Sequence, residues 1–142
     1  MYHPWRALRA LVEWTYDTGA LPEGTLGVTD FEARTITLAH GLTQAERRAT
    51  IAHEVLHVER GPTVNSLEAR EERWVEQEAA RRLISYEALA HAVLWAHTVE
   101  ELADELWVDV DTVMCRLRHL HPSERTKLTA ALRSRDGHEE NE

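Results

Sequence analysis

Cysteine occurs once in these 142 residues, at Cys115, so no internal disulfide is available and a reducing compartment is the expected setting. Long apolar runs are missing too: none approaches the roughly 20 residues that a membrane-spanning helix needs. The first residues, Met1-Tyr2-His3-Pro4-Trp5-Arg6, lack the basic segment and continuous apolar core of a secretory signal. These absences together predict a cytoplasmic protein with no membrane association. No internal repeat and no interdomain linker is evident. With 43% apolar residues the chain has enough to bury for one ordered domain, which excludes a disordered protein. That domain is expected over residues 1–135, its helical C-terminal part covering about 86–135, with an acidic flexible tail at 136–142. Five tryptophans leave room for an aromatic contact surface, although the sequence does not reveal the oligomeric state.

Positive charge is scarce overall. A formal net charge of −9 disfavours nonspecific binding of nucleic acid by the surface as a whole. The exception is residues 112–135, where Arg116, Arg118, Arg125, Lys127, Arg133 and Arg135 face a single acid, Glu124. Such a stretch reads either as a contact for phosphate or an acidic partner, or as a solvated arginine-rich helix face.

Apolar residues at helical spacing (Trp5, Leu8, Leu11, Val12, Trp14) predict a first helix over 4–17, with Pro4 in its first turn. Gly19 and Pro22-Glu23-Gly24 break it. Thr25–Thr29 and the alternating Arg34–Leu38 then predict a β-hairpin turning through 30–33. Thr43-Gln44-Ala45-Glu46 is a capping-box pattern, and it opens a helix expected to reach Arg60 before the Gly61-Pro62 stop. A second long helix is expected from Asn65 or Ser66 to Ile84, followed by shorter ones over 86–96, 99–106 and 110–120 and a last one from Pro122. The fold class is therefore α+β, mostly α: a small antiparallel hairpin or sheet packed on two long helices, then a helical C-terminal part.

The first long helix carries His53-Glu54-Val55-Leu56-His57. Residues i and i+4 share a helix face, so two imidazoles at this spacing can hold one Zn²⁺ in adjacent positions. Glu54 would then act on the metal-bound water as general base, zinc having lowered that water's pKa to roughly 7. Nine histidines and many glutamates give the bare pattern a chance occurrence of roughly 7%. Its apolar flanks (Ile51, Ala52, Val55, Leu56, Val58) argue against chance, since buried ionisable groups are costly unless used.

A third ligand is expected from the second long helix. Glu72 and Glu76 lie four apart, near the face of Val75, Ala79 and Leu83. Glu72 is the expected ligand, with Glu76 beside it fixing a metal-bound imidazole through its free ring N–H. The reverse assignment stays open. Glu68, Glu71 and Glu78 are expected on a solvated face, pairing with Arg70, Arg73, Arg81 and Arg82. Tyr16, Tyr86 and His91 are candidate stabilisers of an oxyanion, and none is assigned.

The stretch Gln44–His57, the preceding Thr29-Asp30 and Arg34–Leu38, and the run Glu72–Ile84 resemble the ImmA/IrrE family of metallo-endopeptidases, in particular short versions from actinobacterial phages and prophages. The resemblance covers about residues 25–120. It implies a gluzincin-like fold with a zinc helix and a glutamate helix. It also implies zinc-dependent cleavage of a partner protein, a helix-turn-helix repressor encoded nearby on a mobile element. Where that family commonly has Asn or Asp four residues after its ligand glutamate, this chain has Glu76, and the family's Phe-Ala pair is missing. The alternative function is a non-catalytic zinc-containing immunity regulator that binds the repressor or DNA.

Residues 101–118 also resemble a helix-turn-helix. A DNA reader presents polar side chains at the start of its second helix. Here Asp111 stands there, and an acid repels phosphate. A structural role is therefore expected for this segment, and nucleic acid is not the expected partner. Cys115 is expected as a small core residue, and His119 and His121 as surface residues.

Overall fold

The computed structural model describes residues 1–140; Asn141 and Glu142, the end of the expected tail, lie outside the described residues. The chain is α+β and mostly helical, and it divides into two compact units, Met1–Leu83 and Ile84–Glu142.

The first unit begins with α1 (Pro4–Arg9), much shorter than the 4–17 helix expected from apolar spacing. Residues 15–19 instead form strand β1 (Thr15–Gly19), which pairs in parallel with β3 (Thr35–Ala39). Leu8 enters the core from the helix, while Leu11 and Trp14 pack on it from the turn that follows. Val12, on the same apparent stripe, is 90% exposed. The expected hairpin is present as β2 (Gly27–Asp30) antiparallel to β3. Asp30 Oδ1 accepts from the Glu32 and Ala33 amides and closes its turn. Sheet order is β1-β3-β2, so the sheet is mixed where a purely antiparallel one was expected.

Helix α2 (Gln44–Arg60) starts in the expected capping box. Thr43 Oγ1 accepts from the Glu46 amide at 3.1 Å, and Glu46 Oε1 accepts from the Thr43 amide at 3.0 Å. Gly61, at φ 84°, ends it in a conformation that costs glycine little. Ile51 and Val55 of α2 meet Ile36 and Leu38 of β3 and Leu8 of α1 in the core between helix and sheet. A 3₁₀ turn at Asn65–Leu67 leads into α3 (Glu68–Leu83), which buries Val75, Ala79, Ala80 and Leu83.

The second unit holds α4 (Tyr86–Ala92), α5 (Val99–Leu106), α6 (Val110–Arg118) and α7 (Pro122–Glu139). Each of the first three opens on a side-chain cap, from Ser85, Thr98 and Asp109 respectively. α7 continues through Glu139, so residues 136–139, expected as tail, are helical. Among the described residues no helix is long and apolar enough to cross a membrane.

Candidate metal centre

The centre lies within the first unit and is built by α2 and α3. One turn of α2 stacks His53 over His57, and their Nε2 atoms come within 3.1 Å. Glu72, from the second turn of α3, closes the group: Oε1 lies 2.5 Å from His53 Nε2 and Oε2 2.9 Å from His57 Nε2. Among the described residues this is the group of three such side chains able to hold a metal ion, with all ligand atoms within 4.8 Å of one another.

Two imidazole nitrogens and one carboxylate suit a borderline ion such as Zn²⁺. Bonds of about 2.0–2.1 Å in a tetrahedron space the donors by about 3.3 Å, so the histidine pair needs to open by about 0.2 Å and the His53–Glu72 pair by about 0.8 Å. The side chains of His53 and His57 are 20% and 19% exposed and that of Glu72 is 45% exposed, so solvent reaches the donors. Hydrogen bonds from His53 and then His57 hold the Glu72 carboxyl well below the usual carboxylate range. The bond to Glu72 raises His57 above the ordinary imidazole value.

The structure brings Glu72 to the histidines and leaves Glu76 exposed and outside the group. Four residues advance a helix by about 6 Å, which carries Glu76 past the histidine pair although both acids sit near one stripe. The neighbouring acids take other partners. Glu71 grips the Arg60 guanidinium with both oxygens, at 2.7 and 2.8 Å, and Arg60 in turn lies over the Trp74 ring. Glu78 pairs with Arg81 and Arg82.

Glu54 is only 6% exposed, and its Oε2 accepts a 2.6 Å hydrogen bond from Thr29 Oγ1 on β2. A Cβ on Gly27 would lie 2.6 Å from Thr50 Cγ2 and 3.1 Å from Glu54 Cγ, so glycine lets β2 approach α2 this closely. Sequence reasoning gave neither Gly27 nor Thr29 a role. The one signal was a glycine two residues before a threonine in a strand facing the helix. Tyr16, a candidate oxyanion donor, packs edge-on against Trp5. Tyr86 and His91 belong to α4 of the second unit.

In that unit the helix-turn-helix-like segment is present as α5 and α6. Asp109 caps α6 through the Thr112 amide and hydroxyl, and Asp111 is exposed beside it. Arg116, counted above with the basic stretch, is 4% exposed. Its guanidinium donates to both Glu124 oxygens and to the Ile84 carbonyl. Cys115 is half-buried, while His119 and His121 are exposed.

No family model and no curated protein matches the chain. Among solved structures it is similar to a Mycobacterium tuberculosis transcriptional regulator, with a TM-score of 0.66 at 16% identity. The match covers 86% of this chain and 42% of that one, so the chain spans less than half the length of its structural neighbour. At this identity the likeness shows the fold. The expectation of a repressor-cutting endopeptidase is corrected by this finding, because the solved neighbour is described as a transcriptional regulator and not as a peptidase.

Proposed function

We propose that this chain is a regulatory protein with a zinc centre on His53, His57 and Glu72, which acts by binding a partner repressor and not by cutting it. The observation that carries the metal is the convergence of two imidazoles and a depressed carboxylate within 4.8 Å. Three ligands from two helices tie α2 to α3, and binding energy at such a site becomes folding energy. The regulator part draws on the solved structure described as a transcriptional regulator. Glu54 fits a structural role, because its buried carboxylate bridges α2 to β2 through Thr29.

A protein partner is favoured over DNA. The net charge is −9, Arg116 is engaged in a part-buried ion pair with Glu124, and Asp111 stands exposed where a recognition helix would meet phosphate. The resemblance to the ImmA/IrrE family points to a helix-turn-helix repressor as that partner, met in the cytoplasm.

The test uses the full chain and the repressor encoded beside it. Elemental analysis should give about one zinc per chain. Gel filtration should show a complex, and mass spectrometry should find the repressor intact after prolonged incubation. Repressor fragments that disappear with Glu54→Gln would overturn the proposal in favour of a hydrolase, and absence of bound metal would remove its zinc centre.

A further inference from the structure

The second unit carries a feature that the metal centre leaves unused. A groove of about 350 Å³ is lined by Trp95, Ala96, Glu101, Asp104, Glu105 and Trp107. Its two tryptophans are 67% and 71% exposed. Glu101, Asp104 and Glu105 follow i, i+3, i+4 spacing, so three carboxylates share one face of α5 in this groove, and Glu101 Oε2 also accepts from the His97 amide at 2.9 Å. Among the described residues no Lys, Arg or His forms an ion pair with any of the three.

Both tryptophans are held in place. Arg135 Nη1 donates to the Val93 and Ala96 carbonyls, each at 2.9 Å, and so fixes the turn that presents Trp95. Trp107 ends α5 in the left-handed region at φ 57°. A bulky residue is disfavoured there by about 1–2 kcal/mol, and glycine is the usual occupant. Like charges at i, i+3 and i+4 are also unfavourable on an isolated helix. An organic cation offsets the repulsion: its charge meets the carboxylates while its flat or methylene surface stacks on the indoles.

We propose that the groove between Trp95 and Trp107 is a docking site for an arginine- or lysine-bearing segment of a partner protein. Charge complementarity selects this occupant, since an acidic or purely apolar segment would leave Asp104 and Glu105 uncompensated. The site stands apart from the zinc reading and does not depend on it.

The experiment follows the indole N–H signals of the full-length chain by NMR during titration with acetylated tetra-arginine amide, with tetra-glutamate amide as control. The expected result is saturable shifts confined to Trp95 and Trp107, none with tetra-glutamate, and binding weakened at least fivefold by 0.5 M salt. Trp95→Ala and the charge-only double variant Asp104→Asn/Glu105→Gln should each weaken binding at least fivefold. Trp107→Gly should do the same, and it places glycine at the left-handed position. Shifts centred on other tryptophans, binding indifferent to all these variants, or no saturable binding would overturn the proposal. Concentration-dependent shifts of the same two indoles without peptide would overturn it too, assigning the groove to a second copy of the chain.

Discussion

Thr29 Oγ1 donates a 2.6 Å hydrogen bond to Glu54 Oε2, joining strand β2 to the middle of helix α2 across 25 positions of sequence. The carboxylate it serves is 6% exposed, so little water can take the place of the hydroxyl. Thr29→Val keeps the shape of the side chain and removes the donor. The expected cost is about 1–3 kcal/mol, the penalty for a buried acceptor deprived of its partner. Urea unfolding with the helical signal as readout measures it, and an unchanged midpoint would show that the bond contributes nothing.

The same contact depends on Gly27. An alanine Cβ there would sit 2.6 Å from Thr50 Cγ2, too close for real carbon atoms, and Thr50 is itself buried and β-branched. Gly27→Ala should destabilise by about 1–3 kcal/mol through overpacking. Thr50→Ser removes the obstructing methyl, so Gly27→Ala/Thr50→Ser should recover part of that loss. A double-mutant cycle checks this, and simple additivity of the two changes would sink the steric explanation.

What the sequence revealed and what it hid divide along the range of the interactions. The α2 capping box and its Gly61 stop are local, set within four residues of each helix end, and both appear as read. The β2–β3 hairpin is also local. Strand β1 escaped because its partner β3 lies 20 residues away and pairs in parallel, while Trp5, Leu8, Leu11 and Trp14 mimic a helical stripe. For the centre, His53 and His57 followed from spacing alone. Glu72 is the expected ligand from the sequence too, and closing off the reverse assignment to Glu76 needs the axial placement of α3 against α2, which periodicity does not encode. Arg116 looked like one more surface arginine because its partner Glu124 lies eight residues on, in the following helix.

At the candidate metal centre the side chains separate cleanly by expected effect. Alanine at His53, His57 or Glu72 removes one of three donors, and zinc affinity should fall at least about a hundredfold for each. Glu76→Gln alters an exposed acid outside the group and should leave affinity within about threefold. Competition against a chromophoric chelator reads all four. A loss at Glu76 equal to that at Glu72 would reverse the ligand assignment. Zinc at a hundred times its dissociation constant should raise wild-type stability by about 2.7 kcal/mol, and chelation should reverse the gain.

Glu124 gives the second unit an acid dependence of predictable sign. Its hydrogen bonds with Arg116 lower its pKa below the ordinary value of 4.5. A carboxyl depressed in the folded state contributes stability that is fully present above its unfolded pKa and is lost as pH falls through the folded one. The contribution should therefore be intact at pH 7 and fade below about pH 4.5. Because the Glu124 side chain is 23% exposed, solvent screens the pair, and the effect should be about 1 kcal/mol. Hydrogen exchange at α6 amides is the suitable readout, since it reports on this unit alone. Between pH 7 and pH 3, protection corrected for intrinsic exchange should fall more in wild type than in Glu124→Gln. Arg116→Met should reduce the same difference, the His121 amide still donating to Glu124, while also leaving the Ile84 carbonyl without its donor, and so be the less stable variant at pH 7. Parallel pH profiles for wild type and Glu124→Gln would rule out the ion pair as the source.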